Sequence, residues 1–339
     1  MPDAKLPAVT VIIPNYNGRN LLASNLPAVR AAVARYSGGG SIVVVDDGSA
    51  DDSVTLLERE FPDVNLVWHE RNRGFAEAVH SGVAAADTEH LIFLNSDVRP
   101  DTDFIEPLLR VLQAGDVFAA SPLIVDGQGR MTDESWRGYE VRRRRLRPLK
   151  LKGFVPPGPV ATLFASGGSM ALKKSMFQAL GGFLPLYQPF YWEDIDLGMR
   201  AWRRGWRSLF VPACRIVHDH GSSSIKTHTA RSRIHRIGRR NKFLFEWIHL
   251  SPEALRQVIP GYAVQALGRL ARLDVVYLGG LIAALRRLPE VRAIRRELER
   301  TQTLGFEDIL VEVRDSLETA RGTRQPGLAD NQPGDGISR

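Results

Sequence analysis

The chain has 339 residues, 44% hydrophobic and 24% charged, which suits one large α/β domain with an appended segment and excludes a fibrous repeat, global disorder or a polytopic membrane protein. Its single cysteine, Cys214, excludes an intramolecular disulfide framework and a cysteine zinc ribbon; without a basic, apolar leader before Val9, the expected setting is reducing and cytoplasmic. The net charge of +7 is local: acids dominate before residue 135, and bases cluster in Arg142, Arg143, Arg144, Arg145 and Arg147 with Lys150 and Lys152, in 231–242, and along the C-terminal helices. Such blocks suit an anionic partner, whether nucleic acid, nucleotide phosphates or an anionic lipid surface.

In chain order, short β-branched runs predict strands at 9–13, 42–45, 65–68 and 91–94, and amphipathic stretches predict helices at 20–36, 51–60, 75–86 and 104–113. This is the βαβ rhythm of a mostly parallel sheet. Periodicity is lost over 126–160, where Arg, Pro and Gly take over, so a long functional excursion is expected there. Order returns at Ala165, a short helix ends at Gly181-Gly182, and another helix is expected from Glu193 to Arg204. After His220 the pattern is helical, and 321–339 reads as a disordered tail. The expected division is a catalytic domain at 1–224, a helical region at 225–320 and the tail. No apolar run in the C-terminal third reaches the roughly 20 residues a membrane span needs.

Polar residues collect at the carboxyl ends of the predicted strands, where open α/β sheets place their ligand crevice. These are Pro14-Asn15-Tyr16-Asn17-Gly18, Asp46-Asp47-Gly48-Ser49 and Asn95-Ser96-Asp97. Asp97 offers a hard oxygen to Mg²⁺ or Mn²⁺, or else caps its turn. Asp46 and Asp47 can accept hydrogen bonds from a base or a ribose, or serve the turn. No Gly-x-Gly-x-x-Gly follows the first strand, which speaks against a nicotinamide dinucleotide. Glu193, Asp194 and Asp196 open a helix behind Tyr191 and Trp192, so they either answer the helix dipole or include a base tuned by desolvation. His218 and His220 are candidate metal ligands at a strand end, or solvated imidazoles.

Taken in order, these segments resemble the inverting family 2 glycosyltransferases of the GT-A fold. The resemblance spans 9–224 and rests on Val11-Ile12-Ile13-Pro14-Asn15-Tyr16-Asn17-Gly18, Val45-Asp46-Asp47-Gly48-Ser49, Asn72-Arg73-Gly74-Phe75-Ala76 and Leu94-Asn95-Ser96-Asp97. It continues through Ser166-Gly167-Gly168-Ser169-Met170, Gly181-Gly182-Phe183, Trp192-Glu193-Asp194-Ile195-Asp196 and Arg200-Ala201-Trp202-Arg203-Arg204-Gly205. Within the family the chain is similar to bacterial rhamnosyltransferase-like enzymes of cell-surface polysaccharide synthesis.

The resemblance implies a Rossmann-like mixed sheet flanked by helices, with a C-terminal helical extension. It implies that Pro14, Tyr16, Asn17, Asp46, Asp47, Asn72, Gly74, Asn95 and Ser96 hold the nucleotide of a UDP-, TDP- or GDP-linked sugar. Asp97 would be the last acid of the Asp-x-Asp metal motif, Asn95 standing where its first Asp belongs. His218, with His220 as the alternative, would complete a Mg²⁺ or Mn²⁺ site. Gly167, Gly168 and Trp192 would line the sugar and acceptor, a glycan or lipid-linked hydroxyl. Asp194 would be the base, with Glu193 beside it. Arg142, Arg143, Arg144 and Arg145, with helices at 251–304 exposing Val258, Tyr262, Leu267 and Leu270, would meet an anionic membrane surface, unless those helices pack on the catalytic domain. Nucleic acid is not an expected partner, because the arginine tract lacks interleaved aromatics for base stacking. A nucleotide-sugar-binding relative without activity is the rival reading, and retention of Asp97, Asp194 and His218 speaks against it.

Overall fold

A computed structural model of the chain describes residues 6–142, 145–151, 153–218 and 229–322. His220, Arg143, Arg144 and the tail beyond residue 322 therefore lie outside the described residues.

The amino-terminal half follows the expected alternation: β1 (Val9–Asn15), α1 (Arg19–Arg35), β2 (Gly40–Asp46), α2 (Ser53–Glu60), β3 (Asn65–Trp68), α3 (Phe75–Ala85) and β4 (His90–Phe93). Then come β5 (Val98–Pro100), α4 (Ile105–Leu112) and β6 (Val117–Val125). The main sheet runs β3-β2-β1-β4-β10-β6-β11-β5, with β9 (Val160–Thr162) added on β11 (Arg207–His218); β10 is Ala171–Lys173. The β1, β2, β3 and β4 pairings are parallel, and β10 enters antiparallel between β4 and β6. The sheet is therefore mixed.

Both faces of β1 are buried, as its near-continuous apolar run requires of a central parallel strand. Val9, Val11 and Ile13 point to one face, where they meet α1, α2 and α4 through Leu22, Leu26, Leu56 and Leu108. Ile12 points to the other and packs with Val43 and Val45 of β2, Val79 of α3 and Phe177 of α5 (Lys174–Ala179). Gly82 on α3 lies so close to β1 that a Cβ there would meet Ile12 Cγ2 at 2.3 Å.

The excursion over 126–160, where no period predicted an element, carries an antiparallel hairpin, β7 (Gly138–Arg142) and β8 (Arg145–Leu149). Buried Trp136 anchors it by donating from Nε1 to the Ala161 carbonyl at 2.7 Å. Tyr139 of β7 and Leu146 of β8 are drawn into a core supplied mostly from elsewhere in the chain, so no local period marks the hairpin. Arg142 and Arg145 form its last backbone pair, so these two ends of the arginine tract belong to the hairpin strands.

Helices α6 (Glu193–Arg203), α7 (Arg231–His249), α8 (Pro252–Leu270), α9 (Val275–Leu285), α10 (Leu288–Thr301) and α11 (Phe306–Ala320) complete the fold. Trp202, Phe210, Phe245, Ile248, Val291, Ile309 and Val313 form one core that joins α6 and β11 to the late helices. Of the side chains expected on a membrane-facing C-terminal surface, Val258 is buried and Tyr262 packs on this core, while Leu267 and Leu270 stand exposed.

Candidate active site

The loops after β1 and β2 meet because their polar side chains bond one another. Asn15 Nδ2 donates to Asp46 Oδ2 at 2.9 Å, and the Ser49 amide and hydroxyl donate to the same carboxylate at 2.9 and 2.7 Å. Asn17 and Ser49 tie the first two loops reciprocally, Asn17 N–H to Ser49 Oγ at 2.8 Å and Ala50 N–H to Asn17 Oδ1 at 2.8 Å. Asp46 and Asn17, expected among the nucleotide ligands, hold the loops together through these bonds, and neither is among the residues that line the two clefts below. Asp47 accepts from the amides of Arg73 and Gly74 at 2.9 and 2.8 Å and pairs with His69 at 2.7 Å. It pins the 71–74 segment against β2, and Gly48, at φ +72, permits the crossing because a Cβ there would strike the Arg71 backbone at 2.5 Å.

Two clefts open along this edge. The first, of about 450 Å³, is lined by Pro14, Tyr16, Asp47, Asn72, Gly74 and Ser96, with Arg233 of α7 also reaching it. The second, of about 510 Å³, holds Gly167, Gly168, Trp192, Glu193, Asp194 and His218. They share Phe75, Asn95, Asp97 and Phe190. Gly168 is needed at the junction, since a Cβ there would lie 2.6 Å from Asn95 Nδ2.

Asp194 is held at the start of α6: Gly167 N–H donates to Oδ2 at 3.0 Å and Ile195 N–H to Oδ1 at 2.8 Å. Burial pushes its carboxyl up despite these amides, and burial together with the charge of Asp194 pushes Glu193 up as well. Glu193 Oε2 is buried with no hydrogen-bond partner among the described residues. The helix starts from strained backbone, with Tyr191 at φ 72 and Trp192 at φ 79, both left-handed non-glycine residues. Asn241 of α7 holds that strap: its Nδ2 shares two N–H groups among the carbonyls of Tyr187, Phe190 and Tyr191, at 2.7, 3.0 and 2.8 Å.

Beneath it, buried Asp196 accepts from Tyr187 Oη at 3.0 Å, Arg200 Nε at 2.6 Å and His249 Nε2 at 2.8 Å. This acid is structural. Burial opposes ionisation of Asp196, but Arg200 and His249 hold it below the usual carboxylate range. Burial drives His249 down to about 4, so its neutral ring donates.

At the junction, His218 Nε2 lies 3.4 Å from Asp97 Oδ2, and His218 Nδ1 lies 3.1 Å from Glu134 Oε2. Burial disfavours the imidazolium, but the two carboxylates outweigh it and raise His218 to about 9. Asp97 Oδ1 is buried and has no hydrogen-bond partner among the described residues. A divalent cation fits this donor set, one carboxylate oxygen and one imidazole nitrogen, with remaining positions for phosphate oxygens and water. Its binding would displace the His218 proton. Asp97 and Glu134 meet opposite ring nitrogens, and no cluster of three acidic, His or Cys ligands converges among the described residues. Glu134, Arg137, Tyr139 and Lys242 also line the second cleft. Sequence reasoning missed them because they come from the aperiodic excursion and from α7, beyond the span of the resemblance.

Residues 10–181 match the family model described as glycosyl transferase family 2. The chain is 28% identical over 213 residues to an N-acetylglucosaminyl-diphospho-decaprenol L-rhamnosyltransferase of Mycobacterium tuberculosis, an alignment covering 54% of this chain and 68% of that one. It is 26% identical to polypeptide N-acetylgalactosaminyltransferase 8 of Drosophila melanogaster, over 64% of this chain and 39% of that one. Among solved structures, GalNAc-T7 with UDP, GalNAc and Mn²⁺ superposes at a TM-score of 0.61 and 16% identity, over 94% of this chain and 58% of that one. S. aureus TarS 1-349 with UDP-GlcNAc superposes at 0.55 and 14%, over 98% and 100%. These likenesses carry the fold, which is GT-A with additional C-terminal helices. With half its length matched by the family model, the chain belongs to glycosyltransferase family 2.

Proposed function

We propose that the protein is an inverting glycosyltransferase that moves a sugar from a nucleoside diphosphate to a hydroxyl of a glycan or lipid-linked acceptor, as a peripheral enzyme of cell-surface polysaccharide synthesis. The observation that carries this reading is the junction of the two clefts, where Asp97 lines both and Asp194 lines the second alone. The nucleotide belongs in the cleft of Pro14, Tyr16, Asp47 and Asn72, and the acceptor in the cleft of Trp192 and Asp194. The rhamnosyltransferase relative supports a rhamnose-like donor and a lipid-diphosphate acceptor.

Asp97 and His218 would hold Mg²⁺ or Mn²⁺, whose charge offsets the charge growing on the departing diphosphate. Asp194 takes the proton of the acceptor hydroxyl while its oxygen forms the new bond to the anomeric carbon. The bond to the diphosphate oxygen breaks on the opposite face, so one displacement inverts the centre. A carboxylate raised by burial accepts that proton more readily than one in water. Glu193, raised further by its neighbour, stays protonated at higher pH and can donate a hydrogen bond to the acceptor. Thermal shifts with UDP, TDP and GDP, each with and without Mn²⁺, identify the nucleotide. NMR of the product then reads its anomeric configuration. Retention of configuration, or the absence of any nucleotide response, overturns the reading.

A further inference from the structure

Of the eleven large apolar side chains that stand exposed among the described residues, eight lie in 259–285, on α8, α9 and the corner between them. Val264 is 71% exposed, Leu267 68%, Leu273 79% and Val275 74%, values without parallel elsewhere in the described surface. Position explains which side chains these are. The inner faces of the two helices are used: Ala254 and Val258 of α8 and Tyr277, Gly280 and Ala284 of α9 are buried. The opposite faces carry Ile259, Val264, Leu267, Leu270, Ile282 and Leu285. A cap that only covered the catalytic domain would be polar on this outer side.

The charge around the ridge is predominantly positive. Between Glu253 and Glu290 the chain has Arg256, Arg269, Arg272, Arg286 and Arg287 against three acids, Glu253, Asp274 and Glu290. Each acid is occupied, Glu253 with Arg256 at 3.5 Å, Asp274 with Arg269 at 2.9 Å and Glu290 with Arg287 at 2.6 Å, and Asp274 also caps α9 through the Tyr277 amide at 3.0 Å. A two-fold dimer through this face would set these arginines against their own copies, whereas an anionic bilayer complements both the apolar ridge and its basic rim.

A basic path joins this corner to the site. A cleft of about 290 Å³ shares Leu146 and Lys242 with the Asp194 cleft. It shares Arg239 with a further cleft of about 550 Å³ that carries Arg231 and Arg269. We propose that the α8–α9 corner docks on an anionic phospholipid bilayer, its apolar ridge buried at the headgroup boundary, so that the arginine path leads from the membrane surface to Asp194. The orientation of the acceptor rests on the function proposed above; the docking itself does not.

The test uses the full chain without substrates. Co-sedimentation with vesicles of phosphatidylcholine alone, and of phosphatidylcholine mixed with phosphatidylglycerol, is measured across a salt series. Wild-type protein should partition onto the anionic vesicles, less so as salt screens the arginines. The double variant Leu267→Glu/Leu273→Glu should lose about tenfold or more of that partition, because it sets two charges into the boundary. Arg272→Glu/Arg286→Glu should remove the salt-sensitive part. All four positions are exposed, so melting temperature and nucleotide binding should be unchanged. Failure of wild type to bind anionic vesicles, equal binding to neutral vesicles, or unaltered partition of the leucine variant overturns the proposal. So does a dimer that the leucine changes dissociate without altering vesicle binding. Vesicle binding by a protein that gives no nucleotide response would overturn the glycosyltransferase reading alone.

Discussion

Asp194 and Glu193 are adjacent acids with different surroundings, and that difference decides which variant is informative. Both oxygens of Asp194 accept backbone amides. Asp194→Asn therefore turns an amide NH₂ toward one of those donors and removes the proton acceptor at once. Turnover should fall by about 10²–10⁴, with nucleotide affinity nearly unchanged because Asp194 stands outside the cleft of Pro14 and Asp47. Glu193 has a buried oxygen with no partner among the described residues, so Glu193→Gln exchanges a desolvated acid for a neutral group of the same size. It should cost much less activity. It should also raise the melting temperature at alkaline pH: the raised carboxyl contributes stability while protonated and loses it as pH rises above the ordinary carboxylate range. Near-normal turnover in folded Asp194→Asn, or a greater loss in Glu193→Gln, would reverse the assignment. Asp97→Asn should weaken nucleotide binding in Mn²⁺ and change little in EDTA, as read by calorimetry. Equal loss in both would make Asp97 a holder of its loop.

Among the elements, β1–α1–β2 and α3–β4 were legible because a central parallel strand must be apolar on both faces and each helix must bury one stripe. The loop residues were legible as a group, but their division of labour was not. Asp46 and Asp47 are identical in the sequence, yet one closes the Ser49 turn and the other holds the Arg73 and Gly74 amides while facing the cleft. The contribution of α7 was invisible because Asn241 and Lys242 sit in an ordinary amphipathic pattern, and their use depends on the chain returning beneath the 187–192 strap. That use is testable. Asn241→Leu keeps the volume and removes the amide that the carbonyls of Tyr187, Phe190 and Tyr191 share, a loss of about 1–3 kcal/mol for each group left unsatisfied. The Tyr191–Trp192 backbone should relax and move Asp194, so kcat should fall by about tenfold or more while nucleotide affinity holds. Loss of stability with kcat intact would show that the strap needs no such support.

At the scale of the whole molecule, the buried Asp196–Arg200–His249–Tyr187 cluster ties α6 to α7, and so the acids of the site to the C-terminal helices. The sequence showed Asp196 only as one more acid at a helix start; its partner His249 lies 53 residues on, a separation that only the shared core closes. The cluster makes stability depend on pH with a definite sign. His249 is held down to about 4 when folded, against an ordinary value near 6.5, so the unfolded chain binds the extra proton between those limits. Its contribution is complete above about pH 6.5 and is lost as pH falls toward 4, a change on the order of 3 kcal/mol. Asp196, held below the usual carboxylate range, adds a loss of the same sign at still lower pH. Over 4.5–6.5 the raised Glu193 works the other way, gaining stability as it protonates, so the wild-type profile should be shallow there. His249→Gln keeps a donor for Asp196 but does not titrate. It should be less stable than wild type at pH 7.5, through imperfect packing, and the gap should narrow by a few kcal/mol on going to pH 4.5. In Glu193→Gln, where one of the groups that oppose His249 in this window is gone, acid destabilisation should become steeper than in wild type. Urea unfolding at the two pH values checks both; a gap between His249→Gln and wild type that stays constant would mean that the ring keeps the same proton affinity in the folded and unfolded chain.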